Sequence, residues 1–409
     1  MKVLKLLLFN LILLSCLLFA KKSRAQYFEL NKDLKSYNIP FKLIKNMIVV
    51  ELNINGKGPY NFIVDSGSPL VLIMDPNLID TTNLLNKRTL LLSGISEGEI
   101  FEALIPGPQN FDFGESLKSV NLTPAILKSD YFGVSNFMGI KVHGLLGYEF
   151  FTHLKLRFDF TNSLITVFSE NAKISYRKFQ KIPITIENKK PYLVSNITFY
   201  DNSQCNCKLV LDIGAGHGLS LEHTNLKNWP VTNTIKANLG RGLTGLITGE
   251  IGRVKQLKIG KLKINNPISA FPLNLHRSTL NNNRDGNLGT ELLKRYTLIV
   301  DFKNELLYLK PRFVYFPNQE HDMSGIELYA TGKDLNDIYI SRIEPGSPSD
   351  EIGLKENDQI YKVNLIPAEE IGVEALGELF KSENGKSIFI EILREGKRLN
   401  FIITLKRRV

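Results

Sequence analysis

The amino-acid sequence predicts a mainly β protein: two duplicated halves followed by a small α+β unit. Three observations predict it. Val64-Asp65-Ser66-Gly67-Ser68 and Leu211-Asp212-Ile213-Gly214-Ala215 each place an Asp at the end of an apolar run and a Gly after one intervening residue. Each is followed at a similar distance by a companion segment. The first, Gly144-Leu145-Leu146-Gly147-Tyr148-Glu149, runs on to Phe158-Asp159-Phe160-Thr161-Asn162-Ser163-Leu164; the second, Gly286-Asn287-Leu288-Gly289-Thr290-Glu291, runs on to Val300-Asp301-Phe302-Lys303-Asn304-Glu305-Leu306. The companions align without a gap at a constant offset of 142 residues, the signature of an internal repeat. Finally, the polar stretch Pro317-Asn318-Gln319-Glu320-His321-Asp322 sets off a compact C-terminal segment.

Residues 1–25 read as a secretory signal. Lys2 and Lys5 give a basic start, an apolar run covers Leu6 to Ala20, and Ser23-Arg24-Ala25 offers a small-X-small cleavage site before Gln26. That run is short for a bilayer span. The alternative is a lipobox, Leu13-Leu14-Ser15-Cys16, giving a lipid-anchored product that begins at Cys16; the apolar run continues past this Cys, which favours simple cleavage. The expected location is therefore periplasmic or secreted. Removing the signal takes five basic residues and no acid, lowering the formal charge from +10 to about +5. With no dense basic stripe interleaved with aromatics, that charge does not argue for nucleic acid, and Lys406-Arg407-Arg408 reads as a solvated tail. Cys205 and Cys207 are too close for an easy bridge and are expected as free or loosely paired thiols. So few cysteines after an export signal suit a core large enough to need no staples.

Residues 26–178 and 179–312 hold the two repeats. Met47 to Leu52, Asn61 to Val64, Leu209 to Leu211 and Tyr296 to Val300 are β-branched or alternating runs bounded by Gly, Asn and Asp, and read as strands. Asn55-Gly56-Lys57-Gly58-Pro59 predicts a hairpin feeding the first Asp strand. After a linker at 313–321, residues 322–409 are the size of an independent small domain. That unit is expected to hold a short helical segment, Ser349 to Ile352, an amphipathic helix near Gly372 to Ser382, and final strands around 387–393 and 399–405.

One Asp-X-Gly is ordinary turn chemistry; two in equivalent places of a duplicated β fold are not. If the repeats face each other, Asp65 and Asp212 meet, and like charges so close cannot both ionise cheaply. The ionised member can then take a proton from water while the protonated one polarises an amide carbonyl.

On these residues the chain resembles the aspartic peptidases of the pepsin and retropepsin type over roughly residues 40–312. The resemblance implies two pseudo-twofold-related β-barrel lobes, 26–178 and 179–312, with catalytic Asp65 and Asp212. It implies a psi loop beside each Asp, and Ser66, Gly67, Ser68, Gly214 and Ala215 supporting the dyad. Two departures matter. The family's hydroxyl after Asp forms a cross-brace between lobes, but Ser66 is matched by Ile213, which leaves the brace incomplete. Ala215 lacks the hydroxyl that Ser68 could offer to its own Asp, and a lost hydrogen bond to a carboxylate raises its pKa, so a working pH closer to neutral than that of an acid-stomach enzyme is expected. The family's flap is sought in Ser93 and Gly94 of Leu92-Ser93-Gly94-Ile95 and in Gly242 and Thr244 of Gly240-Arg241-Gly242-Leu243-Thr244, both Gly-rich enough to move. His217 and His223 fit no zinc spacing, so no metal is expected, and no other cofactor is implied. Neither a phosphate loop nor a Gly-X-Ser-X-Gly elbow is present.

The C-terminal run Ser341-Arg342-Ile343-Glu344-Pro345-Gly346-Ser347-Pro348, then Ile352-Gly353-Leu354 and Asn357-Asp358-Gln359-Ile360, resembles a PDZ domain of the bacterial envelope-protease type. Asn357 stands where that family has Gly, a replacement that tolerates the same left-handed backbone. The resemblance implies that a peptide adds as a strand beside Gly325, Ile326, Glu327 and Leu328. Glu327 would disfavour a free C-terminal carboxylate if it points inward. The expected whole is a monomeric aspartic endopeptidase with polypeptide substrate and a PDZ peptide ligand. The alternative is an envelope protein that only binds peptide on a decayed peptidase fold.

Overall fold

The computed structural model describes residues 25–79, 88–92, 101–130, 132–222, 229–242, 245–273, 284–314 and 319–409. Among the described residues three sheets hold the strands, of sixteen, ten and six members. Asn55 and Gly56, both at positive φ, turn the chain between the strands Met47–Ile54 and Lys57–Val64 as the turn signal predicts. The second of these strands delivers Asp65. It pairs in parallel with the companion strand Gly144–Leu146, which pairs antiparallel with Leu72–Ile73. Leu72–Ile73 pairs in parallel with Ala125–Leu127, and a hairpin of Arg88–Leu92 and Phe101–Ile105 closes the series.

The second half repeats this order. Gln204–Asp212 pairs in parallel with the companion Gly286–Gly289, which pairs antiparallel with Leu219–Leu221. Ile268–Pro272 and the hairpin Ile235–Gly242 and Gly245–Arg253 follow. In both halves the chain passes so close to itself that no side chain fits at the second Gly of the companion: a Cβ at Gly147 would stand 2.1 Å from the Leu70 carbonyl, and one at Gly289 2.1 Å from that of His217. The companions continue into helical turns, Tyr148–Phe151 and Thr290–Leu293. Beyond them Lys155–Asp159 pairs antiparallel with Tyr296–Asp301, which joins the halves in one sheet.

The alternating strands bury a hydrophobic core that runs through both halves, with a smaller apolar cluster beside it in the first half. Its densest part is aromatic: Phe150 meets Phe28 edge-on at 5.3 Å and Phe151 at 5.7 Å, all three fully buried. Such rings each contribute about 1.5–3 kcal/mol on leaving water. Among the described residues no helix is long and apolar enough to cross a membrane.

The C-terminal residues form the six-stranded sheet over a core of their own. Ile326–Thr331 is an edge strand of the sheet, paired along one side with Asp337–Ile343. The short helix Pro348–Glu351 starts on Ser347, whose side chain accepts from the Asp350 amide, with Pro in the first turn. The long helix, Ala368–Phe380, begins four residues before the expected start because Ala368-Glu369-Glu370 already forms its first turn, and Gly372 breaks it locally at φ 78°. Its Ala368, Val373, Leu376 and Phe380 are buried. The final strands are Ser387–Arg394 and Lys397–Thr404. Asn357 takes the left-handed conformation at φ 67°.

Candidate functional site

Asp65 is fixed by the parallel pairing of its strand: its amide donates to the Leu146 carbonyl at 2.9 Å. Its Oδ1 accepts from the amides of Gly67 at 2.8 Å and Ser68 at 3.1 Å. Matching backbone bonds hold the two loops, Tyr148 N–H to the Ser68 carbonyl at 3.0 Å and Thr290 N–H to the Ala215 carbonyl at 2.9 Å. The Asp212 carboxylate accepts from Asn287 Nδ2 at 3.1 Å. The loops face each other. A Cβ built on Gly67 would stand 2.9 Å from Asp212 Cγ, and one on Gly214 only 2.4 Å from Asp65 Cγ. Each carboxyl group therefore lies against the glycine of the opposite half, where any side chain would displace it. Burial and then the neighbouring Asp212 charge push the Asp65 carboxyl up to about 7, against the amides of Gly67 and Ser68 and the Lys190 cation.

Ser66 ties the halves together. Its fully buried hydroxyl donates to the Leu211 carbonyl at 2.6 Å and accepts from the Ile213 amide at 2.9 Å. Ile213 returns nothing of the kind, so one half of the brace is built; instead its carbonyl accepts from Thr290 Oγ1 at 2.7 Å. The expectation for Ser68 needs correction. Its hydroxyl donates to the Leu70 carbonyl at 2.8 Å, and it supports Asp65 through its amide alone. Ser66→Ala leaves the Ile213 amide and Leu211 carbonyl buried without their partner and should cost about 1–3 kcal/mol, read as a shifted urea midpoint with unchanged slope.

Several neighbours of the pair were not read from the sequence. Asn287 aligns with Leu145 of the first companion, and that polar departure in an otherwise apolar segment was the available signal. Lys190 begins the strand Lys190–Thr198; the register Tyr192↔Val210, carried on two residues, sets it across from Asp212. Burial pushes its amine down. Glu222 and Arg284 form a buried bidentate pair, Nη2 to Oε1 at 2.6 Å and Nε to Oε2 at 3.1 Å. His217 Nε2 is buried without a hydrogen-bond partner, and burial lowers its pKa. No cluster of three or more metal-ligating side chains occurs among the described residues. Of the flap candidates, Ser93, Gly94 and Thr244 lie outside the described residues, as does His223; Gly242 ends the strand Ile235–Gly242 and pairs with Gly245 at the hairpin tip.

At the C-terminal unit, Gly325 takes φ 78°, and the loop's first amides are engaged internally: Gly325 N–H donates to Asp322 Oδ1 at 2.6 Å and Ile326 N–H to Ser324 Oγ at 3.0 Å. Ile326 and Leu328 are buried. Glu327 turns to the second half, accepting from Asn238 Nδ2 at 2.6 Å. The Lys45–Asn46 turn lies between this unit and the second Asp loop. Lys45 N–H donates to Glu374 Oε2 at 2.8 Å, and Asn46 Nδ2 donates to the Gly216 carbonyl at 3.1 Å.

A family model of the PDZ domain matches residues 339–394, so the C-terminal unit is a PDZ domain, a module that binds peptides or protein partners. No curated protein matches the chain.

Proposed function

We propose that the chain is an aspartic-type endopeptidase in which residues 26–178 and 179–312 are the two lobes and the PDZ domain, 322–409, positions polypeptide. The observation that carries this reading is the reciprocal seating of each Asp carboxyl on the glycine of the opposite half. Asp65, protonated up to about pH 7, polarises the scissile carbonyl. Asp212, held by Asn287, takes the proton from water as it adds to the amide carbon, and the pair returns a proton to the leaving nitrogen. The Lys45–Asn46 turn gives a peptide held at the PDZ domain a physical route to the Asp212 loop. Ile213, which leaves the brace half built, favours a second reading, a peptide-binding protein whose peptidase fold no longer cuts.

The two readings part on one measurement. The mature chain, given an unfolded fluorescein-labelled polypeptide, should release peptides at pH 5 and lose activity as pH rises through about 7, where Asp65 ionises. Intact substrate at every pH leaves the binding-only reading.

A further inference from the structure

We infer that the peptide groove of the PDZ domain is already occupied in this chain by its own segment Gly133–Gly139, so that an outside peptide binds there only by displacing it. The groove lies between the edge strand Ile326–Thr331 and the helix Ala368–Phe380, where the strand has a free side for an added partner. Segment 133–139 touches both walls. Asn136 Nδ2 donates to the Ala330 carbonyl of the strand at 2.8 Å. At Gly139 a Cβ would lie 3.4 Å from Val373 Cβ on the helix and 4.0 Å from Ala330 Cβ.

The segment is built for that place. Its helix, Val134–Met138, is a single turn bounded by Gly133 and Gly139, both at positive φ, which lets it leave and rejoin the first half abruptly. Met138 anchors it in the apolar cluster with Phe132 and Val142, and Phe137 lies under the Lys45 ammonium at 4.3 Å. Two further bonds hold the rim of the groove to the rest of the chain: Lys45 N–H to Glu374, one residue along the helix from Val373, and Asn238 to Glu327 on the strand. The occupant is therefore intramolecular. A tethered segment has an effective concentration on the order of millimolar, so a free peptide below that level is excluded unless it binds the groove more tightly. A competitor must supply a donor for Ala330 and a small residue facing Val373. None of this depends on the carboxylate pair being catalytic.

The test is amide hydrogen exchange on the mature chain, together with binding of a fluorescein-labelled peptide of residues 128–143. In an Asn136→Ala/Glu374→Ala chain, segments 133–139 and 326–331 should both exchange at least about tenfold faster, while 62–65 keep their protection. The peptide should bind that chain at least about tenfold more tightly than the unaltered one, because the competing segment has been released. A Gly139→Cys/Val373→Cys chain, with Cβ atoms about 3.4 Å apart, is near disulfide spacing and should lose peptide binding on oxidation and regain it on reduction. Unchanged exchange at 326–331 in the released chain overturns the inference. So does peptide binding that is the same in all three chains, absence of binding included.

Discussion

Asp65→Asn and Asp212→Asn, each made alone, are expected to lower cleavage of an unfolded polypeptide by about 10²–10⁴-fold while the chain stays folded. Asn keeps the shape and can still accept the amides of Gly67 and Ser68, but it cannot exchange a proton with water. A second readout separates loss of chemistry from loss of structure. Asp65 titrates near 7 in the folded chain and near 3.8 when unfolded, so the folded chain holds a proton that the unfolded chain releases. Its contribution to stability is fully present below about pH 4 and is lost as pH rises through about 7. Asp65→Asn removes that slope. Above pH 7 the variant should melt higher than its parent. Retained cleavage, or an unchanged slope of Tm against pH, would sink the assignment. Gly214→Ala tests the same site by displacement: its Cβ would stand 2.4 Å from Asp65 Cγ. Moving that carboxyl by about 1 Å should lower the rate by about 10²-fold with both carboxylates still present.

Arg284→Ala is expected to destabilise the chain by about 3–5 kcal/mol, measured as a fall in the urea midpoint. Arg284 and Glu222 are 7% and 3% exposed and bond each other bidentately. Burial raises the Glu222 pKa even with the guanidinium in place, so without Arg284 it would be a buried group that has lost its hydrogen-bonded partner and keeps only the Lys190 cation nearby. Replacing both, as Arg284→Met/Glu222→Leu, should recover most of the loss, since the desolvation of both ions goes with them. If the double variant is as unstable as the single one, packing rather than charge is what the pair provides.

The repeats were legible because their spacing is rigid. A gapless offset survives only where both copies keep the same strands and turns, and they do so from each companion strand through its helical turn to the strand beyond, Lys155–Asp159 in one half and Tyr296–Asp301 in the other. Hairpins at Asn55-Gly56 and the Ser347-Pro348 helix start were readable for a local reason, since turn and cap chemistry need only neighbours. What the sequence withheld depends on contacts between distant residues. The Ser68 hydroxyl turns to the Leu70 carbonyl, and only its amide serves Asp65. Lys190 came opposite Asp212 through a strand register, and Glu222 met Arg284 across 62 positions. The contact of segment 133–139 with the PDZ domain joins residues 194 apart, and nothing in either segment alone announces it.

The strand pair that joins the halves carries a record in its register. Phe158 faces Leu298 and Leu156 faces Val300, while Arg157 faces Ile299, its own counterpart in the repeat. Exchanging each residue for its equivalent leaves the pairing unchanged, which is the property of an isologous contact between identical subunits. Each half made alone would expose this strand as an open, hydrophobic edge. The covalent link between the halves thus fixes, as one chain, a closed contact that two copies of a single half could form, and it spares the strand from seeking other partners.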